Sequence, residues 1–191
     1  MKKQILTILF ALMLVGCASS SGDKPSINYY LLDEAQTLPL ARNTQRSIAV
    51  NQVVMPEYLS LPNLILKGLD HRITLANYHF WAEPLGPSIK RAIMSDLSML
   101  NPTIAFVDSC LVCDSISVSV DHFYPEEVGD VVFTGSYVIK RVNGNLENHS
   151  FSLRSPLVAN GYPAAVEEMR EQVKILAHDI TQELKLKIIL Q

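Results

Sequence analysis

The sequence predicts an α+β domain, a mostly antiparallel sheet packed with two helices of which the longer is C-terminal. Three observations carry that expectation. Several runs alternate apolar and polar residues with the two-residue period of half-buried strands, clearest in Ser115-Ile116-Ser117-Val118-Ser119-Val120. From Leu85 the period changes, and Ile89, Ile93, Leu97 and Leu100 recur every three or four positions. Near the end, Val166, Met169, Val173, Leu176, Ile180, Leu184 and Ile188 form a second and longer stripe of the same kind.

In chain order, the β-rich run 27–32 is ended by Asp33-Glu34, and a second strand, 47–54, stops before Pro56. Between Pro56 and Pro62 the chain has room only for a loop or a single helical turn. Runs 64–67 and 72–78 flank Gly68-Leu69-Asp70-His71 as a hairpin. The first helix starts near Pro87 or Ser88 and is stopped by Asn101-Pro102. Strands return at 103–107, 115–124 and 131–141, and Asn143-Gly144 makes a two-residue hairpin turn into a strand at 148–154. Pro163 suits the first turn of the final helix. Glu167, Glu168 and Glu171 near its start and Lys185 and Lys187 near its end suit the helix dipole. The apolar stripe of that helix is read as packing on its own sheet, with a membrane or partner face as the alternative.

Ahead of this body lies a segment that is not expected to be part of it. Lys2 and Lys3 precede an apolar run from Ile5 to Val15, too short for a spanning helix and closed by Leu14-Val15-Gly16-Cys17. That is the pattern of a bacterial lipoprotein signal, residues 1–16, with Cys17 as the lipidated N-terminus. Each buried methylene contributes roughly 0.8 kcal/mol, so one acyl chain holds marginally and two or three hold firmly. Ala18 stands where Asp would favour inner-membrane retention, which points to the outer membrane, lipid-anchored on its periplasmic face. Residues 17–26 are small, polar and turn-rich, the composition of a tether, and 27–191 form one periplasmic domain.

Composition narrows the function. Of 16 Lys and Arg, Lys2 and Lys3 leave with the signal, so 14 face 19 Asp and Glu and the mature chain is acidic. No basic stripe with interleaved aromatics suggests nucleic acid. There is no Gly-x-Ser-x-Gly, phosphate-binding Gly-rich loop or His-Glu-x-x-His. The five histidines, His71, His79, His122, His149 and His178, stand singly, so neither a metal nor a cofactor is expected. Glu126, Glu127 and Asp130 could draw a cation or form an ordinary acidic turn. Cys110 and Cys113 should pair in an oxidising compartment. Their spacing is also that of thiol exchangers, but Cys113 leads into a strand and not a helix.

The segment Tyr78-His79-Phe80-Trp81-Ala82-Glu83-Pro84-Leu85 holds the only Trp of the chain. With Tyr29-Tyr30-Leu31-Leu32 after the tether and Val53-Val54-Met55-Pro56-Glu57-Tyr58-Leu59 before the hairpin, it resembles the PqiC-type ABC-transport auxiliary lipoproteins. The resemblance implies a non-enzymatic component of a trans-envelope lipid transport system. Its partner would be an inner-membrane-anchored protein with periplasmic MCE domains, which the lipoprotein docks at the outer membrane, and a homo-oligomeric ring would match that partner's symmetry. The candidate contact residues are Tyr58, Trp81, Glu83 and Pro84. Trp81 fits core packing as well as partner contact, and Glu83 fits helix capping as well as a charge for the partner. The alternatives are a lipid-binding carrier, which needs a large apolar pocket between sheet and helices, and a thiol redox protein using Cys110 and Cys113.

Overall fold

The computed structural model describes residues 25–32, 44 and 46–186. Cys17, the tether up to Lys24, Asp33-Glu34 and Ile188 lie outside the described residues. Eight strands run β1 Asn28–Tyr30, β2 Arg46–Val50, β3 Asn63–Lys67, β4 Ile73–Trp81, β5 Ile104–Val107, β6 Asp114–Pro125, β7 Asp130–Lys140 and β8 Leu146–Pro156. Among the described residues two α-helices accompany them, α1 Leu85–Leu100 and the longer α2 Tyr162–Leu186, with a 3-10 turn at Glu57–Ser60. The fold is α+β.

The strands divide into two sheets, ordered β1-β4-β3 and β5-β2-β6-β7-β8. Both are mixed, and most of the paired residues are antiparallel, as expected. The pairs β3-β4, β6-β7 and β7-β8 are antiparallel, whereas β1 runs parallel to β4 and β2 lies parallel to both β5 and β6. The antiparallel pairs are the ones joined by short turns. Each parallel pair is closed by a connection that passes through other elements, so nothing local in the sequence marks it.

One hairpin turn differs from expectation in an instructive way. At the β7-β8 turn, Arg141 N–H bonds Asn145 O at 2.9 Å, Gly144 N–H bonds Arg141 O at 2.9 Å, and only Gly144 of the turn has positive φ, 87°. A two-residue turn of the expected type would need positive φ at both central residues. This is instead a three-residue loop whose last residue is left-handed. The β3-β4 turn closes in the same way, with Gly68 N–H on Arg72 O at 2.9 Å and His71 at φ 64° in the position of Gly144.

Helix α1 begins two or three residues earlier than Pro87 or Ser88, after Pro84 as N-cap. Pro87 is tolerated in the first turn, because an N–H there has no intrahelical acceptor. Ile89, Ile93 and Leu97 of α1 are fully buried, and so are Val173, Leu176, Ile180 and Leu184 of α2. The two stripes meet the inward face of the larger sheet, where the Phe123 and Phe133 rings pack tilted with centroids 4.4 Å apart and Phe133 meets Phe151 edge-on at 4.8 Å. Between the helices, Arg170 grips buried Asp96 through two 2.7 Å bonds, and Asn101 bonds Thr181 at 3.0 Å.

Gly135 marks the tightest point of the large sheet. It faces Val120 beside a bulge at Asp121, and an added Cβ would stand 2.1 Å from Ser119 O and 2.9 Å from the Phe151 ring. Only glycine fits that approach.

Candidate docking surface

The region from Tyr78 to Leu85 is assembled by the small sheet. Strand β4 ends in Trp81, whose N–H bonds Pro62 O at 2.7 Å, and Ala82 N–H bonds Tyr30 O at 2.8 Å. These two bonds bring the loop 56–62 and strand β1 to the junction where α1 begins. Trp81 is 7% exposed, so its indole belongs to the core. With Leu59, Leu64, Ile65, Leu85, Phe123 and Met169 it lines a residual cavity of only about 10 Å³, at most one water.

Glu83 makes no capping bond to the start of α1. Its carboxylate accepts the Ser88 hydroxyl at 2.9 Å and pairs with the Arg91 guanidinium, lying across the first turn of the helix beside Pro84. Tyr58 sits in the 3-10 turn, and its hydroxyl donates to Asp121 O at 3.0 Å with His122 Nδ1 3.1 Å away, at the bulge of β6. Burial, helped by Tyr124 and Asp121, pushes this phenol up to about 12, so it stays protonated. The four candidates therefore divide. Tyr58 and Glu83 are half-buried, Pro84 is exposed as the N-cap of α1, and Trp81 is a core residue.

The residues that do stand exposed here come from the other face of the same strands. Tyr29 is 68% exposed and Tyr78 44%, and the Tyr29 and Phe80 rings lie 5.8 Å apart across the β1-β4 pair. On the inward face His79 accepts or donates a 2.8 Å bond with the Tyr30 hydroxyl and stacks on Tyr162 of α2 at 4.2 Å. Sequence reading singled out the segment that holds Tyr78 but not Tyr29 beside Phe80, because β1 and β4 are paired in parallel between residues 51 positions apart.

Cys110 and Cys113 are bonded to each other with Cα atoms 6.0 Å apart, in a loop that exposes Leu111 and Val112. Cys113 runs directly into β6, so it does not open a helix. The acidic turn is neutralised from outside: Glu126 binds Lys67 at 3.1 Å and Arg154 at 2.7 Å, and Arg154 also reaches Asp130 at 3.0 Å. These bonds, Arg154 foremost, hold the Glu126 carboxyl below its ordinary range. Among the described residues no group of three or more His, Cys, Asp or Glu could hold a metal ion, and no helix is long and apolar enough to cross a membrane.

The sequence pattern described as ABC-type transport auxiliary lipoprotein component matches residues 29–181, and the chain belongs to that family. It is 30% identical over 189 residues to the intermembrane transport lipoprotein PqiC of Escherichia coli strain K12, covering 97% of this chain and 98% of the relative. The PqiC of Shigella flexneri matches to the same extent. Among solved structures, the crystal structure of an uncharacterized protein superposes with a TM-score of 0.74 at 25% identity, over 84% of this chain and 99% of the other. A Xanthomonas campestris protein shares the fold, with a TM-score of 0.62 at 12% identity over 81% and 92% of the two chains. The chain is thus an auxiliary lipoprotein component of ABC-type transport.

Proposed function

We propose that this lipoprotein is lipidated at Cys17, sits on the periplasmic face of the outer membrane, and docks the periplasmic MCE domains of an inner-membrane-anchored lipid transporter. The observation that carries the reading is the family match across 29–181 together with full-length similarity to relatives named as intermembrane transport lipoproteins. The role is non-enzymatic. It requires an anchor, a tether and a folded surface, which are the parts the chain offers. Tyr58, Glu83 and Pro84 form the candidate contact, with Trp81 holding their backbone in place. A closed cyclic ring of copies would match a ring-shaped partner.

Against the lipid-carrier reading, the cavity that Trp81 lines among the described residues holds only about 10 Å³. A drug-sized ligand already needs several hundred Å³. The test is co-purification of the full-length lipidated chain, in mild detergent, with its cognate MCE protein. Association that Tyr58→Ala weakens without altering the melting of the chain supports the docking role. No association between two folded proteins overturns it, and phospholipid extracted stoichiometrically from the isolated chain would put the carrier in its place. Replacing both Cys110 and Cys113 by Ser should leave transport intact and cost about 2 kcal/mol or less, since the loop they close is short.

A further inference from the structure

The outward face of the small sheet carries Tyr29 and Phe80 in contact, and Tyr78, in the bulged stretch of β4 between Leu75 and Phe80, is 44% exposed. Ile27 and Leu31, at either end of β1, are 59% and 52% exposed. No Asp, Glu, Lys or Arg occurs from Ile27 to Leu32 or from Ile73 to Ala82. An exposed patch that is apolar, aromatic and free of charge marks an interaction site. Two further facts identify what covers it.

The first is position. Ile27 is ten residues from Cys17. Ten residues span at most about 36 Å when fully extended and about 18 Å as a flexible coil. On the reading that Cys17 carries the lipid, on which this inference rests, the patch is the part of the folded body that follows directly on the anchor. It is held within one domain's width of the bilayer. The second is chemistry. Tyrosine pairs an apolar ring with a polar tip and concentrates where hydrocarbon meets headgroups. A charge-free patch can enter that zone without stripping water from an ion.

We infer that the Tyr29, Tyr78 and Phe80 face of the small sheet lies on the bilayer interface, so that the lipid anchor and this face together fix the orientation of the domain on the membrane. Contact at two points leaves the opposite end of the domain, including the β7-β8 turn, directed away from the membrane. Strands β7 and β8 pair over eleven residues between that turn and the Asp130–Pro156 end.

The experiment uses the full-length lipidated chain in vesicles of phosphatidylethanolamine and phosphatidylglycerol. Cys110 and Cys113 are bonded and Cys17 is acylated, so Tyr78→Cys supplies a free thiol for an environment-sensitive dye. Asn143→Cys, at the far turn, is the control. The expected result is a blue-shifted emission at position 78, quenched several-fold more strongly by nitroxide-bearing lipid than the dye at 143. Adding Tyr29→Asp to the Tyr78→Cys chain should return the quenching to the control level, with Tyr29→Ser as the milder variant if the Asp chain melts early. Equal quenching at 78 and 143, with acyl mass present on Cys17, overturns the inference and leaves the anchor standing. A dye at 78 shielded from lipid but cross-linked to a neighbouring copy overturns it in favour of an interface between copies. Absence of acyl mass fells both readings together.

Discussion

The outward faces of the two sheets are built from different residues, though their inward faces are alike. The large sheet turns Ser115, Ser117 and Ser119 of β6, Thr134 and Ser136 of β7, and Ser150 and Ser152 of β8 away from the helices. Ser119 pairs with Ser136, and Ser136 with Ser150, so a row of hydroxyls crosses three strands. The small sheet presents Tyr29, Tyr78 and Phe80 at the equivalent level. Inward, both bury a dense aromatic and aliphatic layer. A hydroxyl face is content with water, whereas an uncharged aromatic face is stable in water only at a cost that a partner or a bilayer removes. The contrast assigns structure to the inner layers of both sheets and interaction to the outer layer of one.

The largest effect is expected where the small sheet joins the core. Trp81→Ala should cost about 3–5 kcal/mol, the usual range for deleting a buried aromatic, because the side chains around it already leave almost no space to collapse into. Urea denaturation of the detergent-solubilised chain measures it. A loss below about 1 kcal/mol would mean that Trp81 is a contact residue and that the small sheet is loosely attached.

Gly135→Ala probes the large sheet in the same way. The new methyl would meet Ser119 O, a backbone atom that cannot rotate aside, so the cost should reach the upper part of the usual overpacking range of about 1–3 kcal/mol. A neutral substitution would show that the β6 bulge can move.

The two sheets also differ in how they are stapled electrostatically. At the start of β6, burial by itself would raise the Asp114 carboxyl. The Val142 N–H at 3.0 Å, Arg141 at 3.1 Å and Arg46 outweigh it and hold the group below the ordinary range. A carboxyl depressed in the folded state adds stability that is complete above its unfolded value, about 3.9, and is lost as pH falls through the folded value. The chain should therefore lose stability in acid below about pH 4, and Asp114→Asn should be less stable at neutral pH with a shallower acid limb. Glu126 contributes to the same limb. Superimposable pH profiles for the two proteins would remove Asp114 from the account.

How much of this was legible in the sequence follows from the range of each interaction. The stripes of α1 and α2 and the alternation of β6 repeat within one element, and periodicity alone reveals them. The division into two sheets was not legible, because β2 inserts between β5 and β6 through residues more than fifty positions apart. For the same reason Trp81 could not be told from a surface aromatic, since its burial depends on Leu59, Phe123 and Met169 arriving from three other elements. The Tyr29 and Phe80 pair, the basis of the membrane face, exists only through the parallel β1-β4 register. What sequence did supply was the chemistry of the segment 78–85, and what the fold supplied was which side of it faces out.

The smallest effect sharpens the comparison most. Tyr29→Ser and Ser150→Ala alter the outer layers of the two sheets, and each should change stability by less than about 1 kcal/mol, the scale of a single cross-strand pair. Tyr29 is 68% exposed, and its one ring neighbour is Phe80 at 5.8 Å, so little burial is lost when it is removed. The two variants should then part company on vesicles. Ser150→Ala should leave dye quenching at position 78 untouched, because a hydroxyl face has no reason to seek the bilayer, while Tyr29→Ser should reduce it. Equal urea midpoints with unequal quenching mean that the aromatic face works outside the fold. A Tyr29→Ser midpoint lowered by more than about 1.5 kcal/mol, beyond what an aromatic pair contributes, would make Tyr29 a packing residue like those of the inner layers and erase the difference between the sheets.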